Sequence, residues 1–176
     1  MSKNKNFKLS LYEWLESIVV ALVAVVLIFI FVFRTYVVSG SSMEPTLTNG
    51  NRVAVLSLFY APVQNDVVVI DGNVFNGNSL VKRVIAVEGQ QISINGSGEI
   101  EVDGEVFGNI GTSNQKQFLN DYIELPSVVP KNKVFVLGDN RSASHDSRFS
   151  DIGFIDNDNI IGKVIFVLSP FGFIGD

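Results

Sequence analysis

The sequence predicts a mainly β protein led by one transmembrane helix, on three observations. Ile18 to Phe33 is a run of sixteen apolar residues without a break. After Asn49-Gly50, a turn signal, the pattern changes to short β-type runs separated by Gly, Asn, Asp and Pro. No convincing amphipathic helix accompanies those runs, and there is no internal repeat.

Composition narrows the chemistry before any motif is read. The 176 residues have room for one domain plus an anchor. Cysteine is absent, which removes disulfides, thiol nucleophiles and thiolate metal sites together. His145 is the only histidine, so a multi-histidine metal centre is removed as well. A net charge of -5 argues against a nucleic-acid partner, which needs a basic face. Chemistry must come from Ser, Thr, Lys, Asp, Glu, Tyr or the single histidine.

The first ten residues carry Lys3, Lys5 and Lys8 and no acid. Leu11 to Ser17 has apolar residues at 11, 12, 14 and 15 that can begin a helix at a membrane surface, with Tyr12 and Trp14 suited to the interfacial belt. The run from Ile18 to Phe33 spans only about 24 Å as a helix, short of a hydrocarbon core of roughly 30 Å. Leu15 on one side, and Tyr36 to Val38 with a snorkelling Arg34 on the other, are expected to make up the difference. Positive-inside counting puts the N-terminal lysines in the cytoplasm and everything after Arg34 outside. A cleaved signal peptide is the rival reading. It requires a shorter apolar region than this one and a small-residue cleavage site, which is not obvious after Phe33. A retained anchor is the reading adopted.

Beyond the anchor, Arg52–Leu58, Asp66–Ile70, Leu80–Val87, Lys133–Leu137 and Ile161–Leu168 read as strands. Gln91–Asn95 and Glu99–Asp103 flank Gly96-Ser97-Gly98 and read as a hairpin. Residues 104–129 are weakly patterned.

Two places stand out chemically. The first is Tyr36 to Arg52, where three serines surround Gly40 and Ser42-Met43-Glu44-Pro45 follows. A serine beside small residues, held by a nearby proline, can be an exposed nucleophile; the same composition also suits a juxtamembrane linker. The second is Lys82, inside an apolar strand and accompanied only by Arg83. Strand alternation puts Lys82 on a face with Leu80, Val84 and Ala86. A lysine held against apolar neighbours loses hydration, which lowers its pKa and lets it act as a neutral base, as a serine nucleophile requires. An edge strand guarded by Lys and Arg is the alternative.

Three further patterns are set aside. Ser79-Leu80-Val81-Lys82 matches the Ser-x-x-Lys of penicillin-recognising enzymes, but that pattern works on a helix and Lys-Thr-Gly is absent. Ser144-His145-Asp146 puts triad residue types side by side, whereas triad members meet through the fold, so His145 reads as a solvated loop histidine. Asp156-Asn157-Asp158 lacks the glycine and terminal glutamate of a calcium loop and reads as a turn. The longer segment Leu137 to Arg148 reads as a polar loop whose Asp and Arg residues can pair to hold its shape.

Ser42-Met43-Glu44-Pro45-Thr46-Leu47, Val81-Lys82-Arg83-Val84, and Gly138-Asp139-Asn140-Arg141 with Asp146-Ser147-Arg148 occur in that order after the anchor. Together they closely resemble the bacterial type I signal peptidases, the Ser/Lys proteases that remove signal peptides from exported preproteins, in their single-anchor Gram-positive form. The resemblance covers nearly the whole chain. It implies an antiparallel β catalytic core over 36–88 and 130–176, preceded by a cytoplasmic N-terminus and anchor over 1–35 and split by a smaller β insertion at 89–129.

The same resemblance implies Ser42 as nucleophile, Lys82 as general base, and Ser144 as a serine that hydrogen-bonds and orients that lysine. Arg83 with Asp139, and Asp146 with Arg148, are implied as structural ion pairs. The Ser42 amide is implied as one oxyanion donor; where some relatives add a serine hydroxyl two residues earlier, Gly40 stands here. Tyr36, Val38, Met43, Leu47 and Val81 are implied to line small pockets for the residues one and three before the cut, on a substrate bound as an added strand. The implied partners are signal-peptide-bearing preproteins, the lipid bilayer and the export machinery, with no metal, organic cofactor or nucleic acid. Ala86, Glu88 and Gln90 depart from the Gly, Pro and Asp of relatives, and the loop after Arg148 is slightly longer. A catalytically silent homologue acting as a binding module is the rival from another class, and it would be expected to lack Ser42 or Lys82.

Overall fold

The computed structural model describes residues 3–75, 77–97, 99–109, 123–125, 127–169 and 171–173. It opens with one helix, α1 (Lys3–Val32), and then turns entirely to β structure apart from single 3-10 turns. The helix starts well before Leu11 and stops at Val32, because Phe33 already pairs in a strand. Tyr36 to Val38, expected from sequence to lengthen the apolar span, do not extend the helix, because β1 has already begun; the helix is longer on its N-terminal side. The described apolar side chains of α1, from Tyr12 through Leu27 and at Ile30, are exposed. Among the described residues no helix is long and apolar enough to cross a membrane.

The main sheet contains β1 (Phe33–Val37), β2 (Arg52–Leu56), β3 (Val67–Ile70) and β4 (Leu80–Val87) from the first half of the chain. The second half adds β9 (Lys133–Leu137), β10 (Ile155–Asp156), β11 (Ile160–Ser169) and β12 (Phe171–Phe173). Their order is β1-β2-β11-β3-β4-β9-β10, with β12 also paired to β11, and every pairing is antiparallel. A second sheet of four strands has the order β7-β6-β5-β8, formed by β5 (Gln91–Ile94), β6 (Glu99–Val102), β7 (Glu105–Asn109) and β8 (Ser127–Val128). The strands at β7, β8, β10 and β12 carry no run long enough to signal themselves in sequence. The part of 104–129 that was unpatterned lies largely outside the described residues, at 110–122.

Valine and isoleucine dominate the inner strands because β-branched side chains fit a pleated surface packed on both sides. β3 is buried at all four positions. Lys82 is on β4, which lies between β3 and β9, so the edge-guard reading is wrong: this strand is interior. Alternation along β4 also breaks. The pairing with β9 shifts register between Val84 and Ala86, and an extra residue there resets the side-chain phase. Val84 packs with Val68, Ile70 and Val136, whereas Ile85 and Ala86 pack with Ile92, Ile100 and Phe135, joining the two sheets. Lys82 and Ala86 thus do not share a face.

Where β11 crosses β2, the backbones approach closely at Gly162. A Cβ there would fall on the carbonyl oxygen of Leu56. Gly162→Ala is expected to cost about 1–3 kcal/mol, the usual penalty for overpacking. Urea unfolding would show it as a lower midpoint at unchanged slope.

Candidate active site

Ser42 sits in a turn stapled at both ends. Val38 N donates to Asn51 O at 2.8 Å, and Gly50 N donates to Val38 O at 2.9 Å. Within the turn, Gly40 N donates to Asn49 Oδ1 at 3.0 Å, Thr48 N to Asn51 Oδ1 at 2.9 Å, and Leu47 N to Met43 O at 2.9 Å. Met43 and Leu47 plunge into the core beneath. The Ser/Gly stretch is therefore a folded turn and not a linker. The peptide bond between Glu44 and Pro45 is cis.

Lys82 comes from β4 to meet it. Its Nζ lies 3.0 Å from Ser42 Oγ, and only 3 % of the residue is exposed. Burial holds this lysine below its ordinary value; the negative charge of Asp146 pulls the other way, and Arg148 adds to the depression. A neutral amine at that distance is chemically able to accept a hydroxyl proton.

The third component is the loop after β9. Asn140 N donates to Ser42 O at 3.0 Å, so the carbonyl of Ser42 is gripped by this loop. Gly138 makes the approach feasible: a Cβ there would collide with Ser42 O and with Ser144 Oγ. Asp139 receives Arg83 Nε and Nη2, each at 2.7 Å, and Thr46 Oγ1 at 2.6 Å. This joins the Lys82 strand, the nucleophile turn and the loop through one carboxylate. Burial alone would raise Asp139, but the hydrogen bonds from Arg83 and Thr46 outweigh it and hold the group below its ordinary value. The same bond, ahead of the cost of burial, raises Arg83.

Deeper in, Asp146 is fully buried and takes Arg148 Nε at 2.8 Å and Nη2 at 3.0 Å, together with Gly138 N at 3.0 Å. Arg148 Nη2 also donates to Arg141 O at 2.7 Å and Ser144 O at 3.1 Å. The two carboxylate–guanidinium pairs expected from sequence are thus both formed.

Ser144 differs from expectation. Its hydroxyl is buried beside Gly138 and has no hydrogen-bond partner, so the bond to Lys82 is not made. Such a hydroxyl is unsatisfied while the lysine bonds Ser42 instead.

Val38, Met43 and Leu47 lie in one apolar cluster with Val53, Val55 and Val67, and Tyr36 and Val81 pack on it partly exposed. The first three are almost wholly buried, so they form the floor of any pocket, while Tyr36 and Val81 reach its surface.

His145 lies in a loop and is partly exposed, as expected from sequence, but it also has defined partners. Its ring lies 4.0 Å from the Phe149 ring and 5.1 Å from the Phe75 ring, and Nε2 contacts Asp151 Oδ2 at 2.9 Å. Sequence reasoning also gave no separate role to Thr46, Gly138, Asn140 or Asn49. Thr46, Gly138 and Asn140 fall inside the quoted motifs, but their partners are distant in the chain and no local pattern announces them.

Comparison with known proteins gives the family. The family described as "Signal peptidase, peptidase S26" matches residues 11–169. Signal peptidase I of Bacillus licheniformis is 36% identical, with 96% of this chain and 94% of that protein covered. Signal peptidase IB of Staphylococcus aureus (strain Mu50) is 38% identical, with 93% of this chain and 92% of that protein covered. A crystal structure of a signal peptidase I from Enterococcus faecalis V583 is 24% identical and superposes with a TM-score of 0.46, covering 60% of this chain and 97% of that one. The class is that of the serine peptidases. Within it, the chain belongs to the signal peptidase family, peptidase S26, as a type I enzyme.

Asp146 offers a direct test of the buried pair. Asp146→Asn leaves Arg148, only 3 % exposed, without its counter-charge. The loss expected for such a broken pair is about 3–5 kcal/mol, read as a large fall in the urea midpoint.

Proposed function

We propose that this protein is a membrane-anchored signal peptidase that cleaves signal-peptide-bearing preproteins with a Ser42/Lys82 dyad. One observation carries the reading: a buried lysine amine 3.0 Å from a serine hydroxyl, the serine held in a built turn. Neutral Lys82 takes the Ser42 proton as Oγ bonds to the carbonyl carbon at the end of the signal peptide. The resulting ammonium returns that proton to the leaving amine as the peptide bond breaks. Lys82 then takes a proton from water as its oxygen attacks the ester carbonyl, and the ammonium returns that proton to Ser42 Oγ as the ester bond breaks. The Ser42 amide is the first oxyanion donor. Gly40 has no hydroxyl to add, and its amide is already committed to Asn49.

Ser144 has a part in this cycle that fits its geometry. An ammonium on Lys82 has three protons to place, and an unsatisfied buried hydroxyl in the adjoining loop can accept one. Arg83–Asp139 and Asp146–Arg148 hold the three components together without reacting. Tyr36 and Val81 face the substrate over Val38, Met43 and Leu47, in pockets that admit small residues one and three positions before the cut. Residues 36–88 and 130–176 form the catalytic core, and 89–129 form the insertion.

The anchor rests on α1, whose thirty residues span about 45 Å and include Ile18 to Val32, all but the last residue of the apolar run. Three lysines precede that run, which places the N-terminus in the cytoplasm and the core outside. At the helix exit Ser57 N donates to Val32 O at 3.3 Å, and beside it Leu58 and Phe59 are exposed, Phe59 to 96 %. Apolar side chains at that level suit a bilayer surface. Tethering brings the enzyme to a substrate delivered in the membrane, beside the export machinery, and replaces a bulk search with a local one.

Cleavage of a preprotein bearing an Ala-x-Ala site, with the full chain in detergent or liposomes, tests the dyad. Ser42→Ala and Lys82→Ala are each expected to lower kcat by at least about 10³-fold. Activity surviving either change would sink the assignment. Activity in the wild type should rise with pH through the Lys82 transition, because the amine works only when neutral. That rise should centre below the ordinary lysine value of about 10.4. A centre at or above it would mean that Lys82 is not the base. Inactive protein that still binds the preprotein would support the silent-module reading.

A further inference from the structure

His145 stands between two residues of the site and is used by neither step of the chemistry. Ser144 has extended backbone, and along extended chain neighbouring side chains point to opposite sides. Ser144 and Asp146 are both buried, and the His145 ring between them is half-buried on the outer side. It is the outward handle of the segment whose inner face borders Lys82.

That handle is gripped from three directions. Phe149 stacks on the ring at 4.0 Å and 35°, and Phe75 meets it at 5.1 Å and 39°. Asp151 contacts Nε2 through both oxygens, at 2.9 and 3.1 Å, and is the charged group that meets the imidazole. Phe149 and Asp151 belong to the turn that closes the loop, tied by Ile152 N and Gly153 N donating to Phe149 O.

Phe75 belongs to a different segment, the connection from β3 into the Lys82 strand. Its described residues are closely tied: Asp71 caps them through Asn73 N, Gly77 N donates to Gly72 O, and a Cβ on Gly72 would collide with backbone of Gly77. Phe75 is thus held on the Lys82 side of the site, and His145 fastens the Ser144/Asp146 side to it.

We infer that His145 is a positioning residue for the Ser42/Lys82 reaction, a clamp that holds the 139–151 loop against the connection leading into the Lys82 strand. The inference rests on the dyad reading. Its consequence follows from what keeps Lys82 in its working state. Burial is the chief influence on that amine, and the charges of Asp146 and Arg148, both in the loop, also act on it. Loosening the clamp admits water, weakens the burial and moves the lysine back towards its ordinary value. Fewer molecules then hold a neutral base at a given pH, and those that do hold it less accurately.

The test uses the full chain in detergent micelles, a preprotein with an Ala-x-Ala site, and His145→Ala, His145→Gln and Phe75→Ala beside the two dyad variants. His145→Ala is expected to lower kcat roughly tenfold, the scale of a small misplacement, with KM within about twofold. The rise of activity with pH should move to higher pH. Phe75→Ala should reproduce both effects. His145→Gln retains an N–H donor for Asp151 and should recover part of the loss. Wild-type kcat and an unmoved pH profile in His145→Ala would overturn the clamp. So would a loss explained wholly by a smaller folded fraction in thermal unfolding, with the profile unmoved. Activity persisting in Ser42→Ala or Lys82→Ala would overturn the dyad itself, a result distinct from either of these.

Discussion

Everything in the site depends on keeping one amine out of water. Lys82 would be an ordinary charged surface residue on an edge strand, and no base at neutral pH. Here it projects from an interior strand, with β3 on one side and β9 on the other, and with the nucleophile turn over its end. The neighbouring strand supplies the packing, and the loop after β9 supplies the lid. The sheet order is what brings residues 42, 82 and 144 together, since no short stretch of chain contains two of them.

Hiding an amine among apolar side chains creates a need for polar groups that hold the walls without neutralising the site. Two carboxylates meet that need. Asp139 is bonded at once to Arg83 and Thr46, so a single group fixes the lysine strand relative to the turn. Asp146 binds Arg148 and the Gly138 amide, which shapes the loop from within. Both are satisfied by guanidinium, whose forked donors match a carboxylate and whose charge is not lost at any working pH. Each also keeps its negative charge engaged, so that Lys82 is not drawn into an ion pair of its own.

Much of this was legible in the sequence, and the boundary is physical. Long β-branched runs announced β3, β4, β9 and β11, and the hairpin of β5 and β6 was marked by its glycine turn. The short strands were invisible because two or three residues set no period. The bulge in β4 was missed for a related reason: alternation assumes an unbroken ladder, and Ile85 and Ala86 do not reveal from sequence that the register slips beside them. The paired Asp and Arg residues could be named from motifs. The empty bonding position of Ser144 could not, because it depends on where a lysine forty residues from the nucleophile sends its single contact. The ring contacts of the loop residue His145 were not legible, since it is the fold that brings Phe75 to it.

Helix α1 passes into β1 without an intervening residue, and β1 is paired along its whole length with β2. Between the end of the helix and Val37 there are five residues of extended chain, about 17 Å, with the stapled turn of Ser42 directly beyond. The join is therefore short and held by strand pairing, with no loose linker in it. With α1 as the proposed anchor, Ser42 as the proposed nucleophile would have a limited range of heights above the bilayer. Scissile bonds at other heights would be out of register with it, so the enzyme would select substrates partly by how far their cut site stands from the membrane, as a gauge does, before any pocket reads a side chain.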